Sequence, residues 1–197
     1  MKTFFRWLAG LGVCVIVLTS IDYSSPRAQR IESSLQATWD SLTLPYKMAR
    51  LSAQEPDAQL VMPVAGVRVR DVANTWGAPR SGGRRHEGQD IFAPRGTPVH
   101  AATSGYVLSV SEGGLGGKKV FVLGAGGRRY YYAHLDDFAE GLSAGDAVTP
   151  QSVLGYVGDT GNAKGTPPHL HFGVYGAGGA LDPLPLMIDS MNEVGAG

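Results

Sequence analysis

Cysteine is nearly absent: the 197-residue chain has one, Cys14. That excludes a disulfide framework and any metal knot built from several thiolates. A surplus of one charge is missing as well, with 17 Lys+Arg against 17 Asp+Glu. A formal charge of zero gives no whole-molecule electrostatic grip on nucleic acid, so no nucleic-acid partner is expected. Internal repeats are lacking too. The tetrapeptide GGRR occurs at 82–85 and 126–129, but its flanks do not repeat. Glycine, by contrast, is plentiful. There are 28, about twice ordinary usage, with no collagen-like period, which suits tight turns between short strands. Apolar residues reach 43%, enough for a packed core. All five histidines fall between His86 and His171. With one thiol available, a metal site here must use imidazole and carboxylate.

Lys2 and Arg6 precede an apolar run from Trp7 to Ile21. As a helix it would be about 22 Å long, against about 30 Å for a bilayer core. Phe4 and Phe5, with Arg6 snorkelling, bring it closer to spanning. Residues 1–21 therefore read as a signal peptide or a retained signal-anchor. The absence of an A-x-A site argues for retention, since Pro26 stands three positions back from a cut after Ala28. Cys14 follows Val13 inside the run and reads as an apolar membrane residue rather than a lipidation site. Either way the remainder is expected outside the cytoplasm, in the periplasm or cell envelope, with an inner-membrane tether if the anchor stays.

Residues 22–60 form a connector with a helix near 26–42. Ser25 can cap it and Pro26 suits its first position. Ala28, Ile31, Leu35, Trp39 and Leu42 make one apolar stripe, expected to pack on the domain. Pro45 is expected to stop the helix, and 51–60 reads as loop. Residues 61–185 form the domain proper, and 186–197 a flexible tail. Within the domain, β-favouring segments recur between glycines: Asp90–Ala93, Pro98–Ser109, Lys119–Leu123, Arg129–Leu135, Ser152–Val157 and His169–Tyr175. Short strands at this spacing point to an antiparallel sheet, sandwich or barrel.

Three segments carry chemistry. In His169–Tyr175, strand alternation sends Leu170, Phe172 and Val174 to a core face and His169 and His171 to the other. In Gly82–Phe92, a glycine-rich loop enters a strand with His86 and Asp90 four apart. A loop folded back on the strand start can bring the two together. Glu87 between them is a competing ligand or, beside Arg84 and Arg85, a solvated charge. In Arg129–Leu135, alternation places His134 with Tyr130 and Tyr132. Those tyrosines either line a groove or serve as ordinary sheet aromatics. His100 has no motif around it and reads as structural. A catalytic zinc site needs three protein ligands and an open position. His86, Asp90 and one histidine of the H-x-H pair supply three, leaving the other and His134 for acid–base and electrostatic work.

The segments His86–Ile91, Gly96–Val99, Tyr132–Leu135 and Gly161–Phe172, taken in order, resemble the lysostaphin/LytM-type zinc endopeptidases. These are cell-wall hydrolases that cut peptide cross-bridges or stems of peptidoglycan. The resemblance spans about residues 61–185. It implies a compact all-β peptidase domain of antiparallel sandwich or barrel-like form, monomeric, with its site in a groove on the sheet and peptidoglycan peptides as substrate. It implies Zn²⁺ held by His86, Asp90 and His171, with His134 and His169 as catalytic histidines outside the ligand set. In that scheme His169 is the general base and His134 donates a hydrogen bond to the developing oxyanion. Zn²⁺ would lower the pKa of a water and polarise the carbonyl.

Thr166-Pro167-Pro168 makes the loop before H-x-H longer than the commonest family form. Gly161–Gly165 is expected to be its mobile half and the prolines its stiff half, aiming His169. Lys164 reads as a solvated charge or a contact for a stem-peptide carboxylate. Two other classes fit the same residues. One is a non-catalytic regulator or activator of another cell-wall hydrolase on the same fold, which loss of ligand residues would favour; none is lost. The other is a wall-binding β-domain with a structural metal, which a fourth protein ligand would favour. The bond cut is not encoded in the zinc ligands, since different cross-links need different groove walls.

A reporter fused after residue 60 should work outside the cytoplasm. Activity confined to the cytoplasm would overturn the reading of residues 1–21.

Overall fold

The computed structural model describes residues 26–190, so the apolar run of residues 1–21 and most of the expected tail lie outside the described residues. Two compact units divide near Leu42 and Thr43. Helix α1, Pro26–Ser52, runs through Pro45 rather than stopping there. Proline removes one N–H and crowds the preceding turn, but Leu44 reaches the backbone of Gly145 and Ser52 that of Gly127. These contacts within the second unit support the turns beyond the proline. In the first unit Ile31, Leu35, Trp39 and Leu42 are exposed. Among the described residues no helix is long and apolar enough to cross a membrane.

The second unit is built from short strands: β1 Leu60–Val61, β2 Gln89–Phe92, β3 Pro98–His100, β4 Gly105–Ser111, β5 Lys118–Leu123 and β6 Arg129–Phe138. They continue with β7 Ala147–Val148, β8 Val153–Val157, β9 His169–Gly176, β10 Gly179–Leu181 and β11 Met187–Ile188. A nine-stranded sheet follows the path β10-β9-β6-β5-β4-β7, with β2 on β9, β8 on β6 and β3 on β8. Every pairing in it is antiparallel. The all-β antiparallel expectation holds. The segment expected as one strand over Pro98–Ser109 is two, broken at 101–104. There the buried Ala102 N–H turns aside to the Tyr132 hydroxyl, 2.8 Å away. The core is one cluster that includes Tyr130, Tyr132, Phe172, Leu170, Ile91 and Leu154.

The domain's edges reach further than 61–185. β1 pairs in parallel with β11, joining Leu60 to Met187 and Val61 to Ile188. Met187 is buried, and the Val69 N–H donates to Asp189 Oδ1 at 2.6 Å. Met187 and Ile188, expected to lie in a flexible tail, therefore form a strand of a two-stranded sheet.

One irregularity in β6 decides where side chains point. On β5, Lys118 and Val120 are two apart; their partners on β6, Leu135 and Tyr132, are three apart. The extra residue is a bulge, and it reverses the alternation beyond it. His134 has φ +64°, the one non-glycine positive φ among the described residues. Tyr130, Tyr132 and Leu135 consequently all face the core. The expectation that Tyr130 and Tyr132 share a face with His134 is overturned. Tyr131 takes that place, its ring edge-on to His171 at 5.7 Å.

Phe172 sits fully buried between Tyr130 and Tyr132. Phe172→Ala should destabilise the domain by about 3–5 kcal/mol, read by urea unfolding at fixed metal concentration. A loss below about 1 kcal/mol would show that this ring is not central to the core.

Candidate active site

Strand register brings the first two site residues together. β2 runs antiparallel to β9 with Asp90 opposite His171 and Phe92 opposite His169. His86 lies just before β2, in a segment tied back by backbone bonds from Gly77 to His86 and from His86 to Ala78. His86, Asp90 and His171 offer ligand atoms that all lie within 4.8 Å of one another. His86 Nε2 stands 3.0 Å from Asp90 Oδ1, and His171 Nδ1 stands 3.2 Å from the same oxygen. The two imidazole nitrogens are 2.8 Å apart. His134 and His169 complete the cluster, their ring centroids 5.1 Å apart, with His169 Nε2 3.9 Å from Asp90 Oδ1. Glu87, exposed, lies outside the ligand group, and so does His100, half-buried on β3.

Backbone carbonyls select the imidazole tautomers. A carbonyl oxygen only accepts, so each nitrogen beside one carries the proton. His86 Nδ1–H donates to Thr75 O at 2.8 Å. His134 Nδ1–H donates to Thr160 O, and His169 Nδ1–H to Pro167 O, each also at 2.8 Å. In the neutral rings the Nε2 atoms carry lone pairs. Burial pushes the His134 pKa down to about 4 and also lowers that of His171, so both are neutral at pH 7. Burial works against the Asp90 charge, but the His171 and His86 imidazoles packed beside it outweigh burial and hold its carboxyl well below the usual range. Arg80 donates to its other oxygen, Oδ2.

This donor set fits a cation. Three electron-pair donors face one another at 2.8–3.2 Å, and the His86 proton is already committed to Thr75. At most one proton, on His171, remains to separate them. Tetrahedral zinc with ligands near 2.0–2.1 Å would set its donors about 3.3 Å apart, close to the spacing seen.

Several residues that arrange the site escaped the sequence reading. Thr75 is one. Its N–H donates to Gln89 Oε1 at 2.8 Å, its hydroxyl accepts the Asp90 N–H at 2.9 Å, and its carbonyl holds His86. Gln89 is fully buried and also donates to Asn74 and Asp182. Nothing in the local pattern around Thr75 marks it. Gly88 was legible in principle: a Cβ there would stand 2.7 Å from His171 Cε1. In His86-Glu87-Gly88-Gln89-Asp90 the glycine leaves room for the third ligand's ring.

Residues 84–183 match the profile of Peptidase family M23, half of the chain. The chain belongs to that family. The M23 chain is 41% identical over 123 residues to the L-Ala–D-Glu endopeptidase of Bacillus subtilis, covering 57% of this chain and 38% of that one. It is 33% identical over 123 residues to the DD-carboxypeptidase/endopeptidase Mpg of Neisseria meningitidis, covering 62% and 26%. The chain thus spans well under half the length of these relatives. Among solved structures, the catalytic domain of the antimicrobial peptidase lysostaphin from Staphylococcus simulans superposes with a TM-score of 0.52 at 30% identity, covering 59% of this chain and 92% of that one. A zinc-containing peptidase from Vibrio cholerae superposes with a TM-score of 0.54 at 25% identity, covering 66% and 40%. The lysostaphin-type fold of the M23 domain follows from this likeness and its antiparallel sheet.

Gly88→Ala should displace the His171 ring and press on the β9 backbone, since its Cβ would also stand 2.7 Å from Phe172 O. Zinc affinity should fall by about 10- to 100-fold, the usual effect of disturbing a ligand's support, measured by competition with a chromophoric chelator. Unchanged affinity would remove this close approach as a constraint on the site.

Proposed function

We propose that the domain is a zinc-dependent endopeptidase acting outside the cytoplasm on peptide bonds of peptidoglycan stems or cross-bridges. The observation that carries this is the convergence of His86 Nε2, Asp90 Oδ1 and His171 Nδ1 beside two further histidines. His86, Asp90 and His171 would hold the metal. Bound Zn²⁺ supplies a Lewis acid that lowers the pKa of a water and polarises the scissile carbonyl.

The protein's own groups then divide the proton work. His169, fixed by Pro167 O, turns its Nε2 lone pair towards the Asp90 side and is placed to take the water proton. Neutral His134, fixed by Thr160 O, also presents an acceptor. It therefore orients the attacking water in the ground state, and donates to the oxyanion or the leaving amine only after gaining a proton. The hydrogen bond expected from His134 to the oxyanion thus depends on that proton. Phe92, exposed and 5.1 Å from the His169 ring, gives the groove an apolar wall next to the base. The names of the relatives, peptidases for L-Ala–D-Glu, D,D and glycyl-glycine bonds, support peptidoglycan peptides as substrate.

His86→Ala should lose zinc and turnover together. His169→Ala and His134→Ala should keep zinc and lose turnover by about 100-fold or more. Chelation should abolish activity, and added zinc should restore it. The assay is mass spectrometry of muropeptides released from defined sacculi, which also identifies the bond. Near-stoichiometric zinc in His86→Ala would overturn the ligand assignment, and wild-type turnover in either other variant would remove that histidine from the mechanism.

A further inference from the structure

His134 holds a left-handed backbone conformation, φ +64°, that is strained for a residue with a side chain. Such a residue persists only where its surroundings over-determine it. Those surroundings centre on Thr160. Its carbonyl accepts His134 Nδ1–H at 2.8 Å. Its hydroxyl donates to Leu135 O at 2.8 Å and accepts the Lys118 N–H at 2.9 Å. One side chain thus joins the start of β5 to the residue just after the bulge, while its main chain holds the imidazole.

The loop that carries Thr160 is packed from both sides. A Cβ on Gly117 would stand 2.3 Å from Thr160 Oγ1, and one on Gly161 would stand 2.3 Å from Leu115 O. A Cβ on Gly158 would stand 2.4 Å from Asp136 N. Asn162 N–H donates to Leu115 O at 3.0 Å, and His134 N–H to Gly116 O at 2.9 Å. Arg95 closes the ring from outside, paired with Asp136 and, at 2.6 Å, with Asp159. Gly161, expected to begin the loop's mobile half, is thereby tied down.

We infer that Thr160 is a positioning residue: its hydroxyl locks the segment whose carbonyl fixes the tautomer and aim of His134. The inference rests on the catalytic part proposed for His134. The hydroxyl's proton and one of its lone pairs are both used on backbone groups of β6 and β5, the pattern of a brace between segments. Thr160→Val keeps the branched shape and the carbonyl but removes the hydroxyl, whereas Thr160→Ser keeps the hydroxyl.

The test uses the zinc-loaded full chain with ¹⁵N-histidine. In the wild type His134 should show the Nδ1–H tautomer. Thr160→Val should lose that single-tautomer signature and lower kcat at least about tenfold, with KM and bound zinc unchanged. Thr160→Ser should restore both. If Thr160→Val does not fold, Thr160→Ala carries the same expectation with less crowding. An intact tautomer signature with wild-type kcat in the hydroxyl-free variant overturns the inference. So does loss of zinc, or a defect that serine fails to rescue. If the wild type itself releases no muropeptides, the proposed function fails, while the tautomer comparison still decides the role of Thr160.

Discussion

The site depends first on one cross-strand pair, Asp90 opposite His171. In an antiparallel ladder, directly opposed residues on one face have their Cβ atoms about 4.5–5.5 Å apart. Two ligand-type side chains are therefore brought together by the same register that buries Ile91 against Leu170. A slip of one residue would turn the apolar set outward and the polar set inward. Core packing and site assembly are thus enforced by the same constraint, and neither can drift without the other.

Around that pair the chain spends backbone carbonyls rather than charges on orientation. Thr75, Thr160 and Pro167 each offer a carbonyl to a histidine Nδ1–H, the first from the chain before β2 and the other two from opposite ends of the β8–β9 loop. The three rings are held in one tautomer without adding negative charge near the ligand set. Asp90 remains the one carboxylate in that group of three. Its second oxygen is occupied by Arg80, which leaves Oδ1 to face the imidazoles. A carboxylate on each histidine would have raised their pKa values and opposed the lowering that burial produces at His134.

Much of this was readable before any coordinates, and the limits have physical causes. The alternation in His169–Tyr175 gave the correct core face because β9 is regular there. The same alternation failed in Arg129–Leu135 because a bulge leaves no mark in composition, and one histidine's modest preference for positive φ is too weak to locate it. Helix α1 outruns the stop expected at Pro45 because the docking of Leu44 and Ser52 offsets the proline's local cost. β1 and β11 were missed because a two-residue strand has too little length for any period to show. The clustered histidines were legible through residue type and spacing. Their supports, Thr75 and Gln89 among them, were not, since a carbonyl partner can come from any residue.

The parallel pairing of β1 with β11 also has a mechanical consequence. In a parallel pair, the chain leading into the first strand and the chain leaving the second depart from opposite ends. Tension between those two flanks would load the ladder in shear, straining its bonds together instead of peeling them one at a time. The bond from Met62 N–H to Ile188 O, 2.9 Å long, lies in that path. Tension applied at both flanks would therefore be met at this clasp before it reached the strands that carry the histidines.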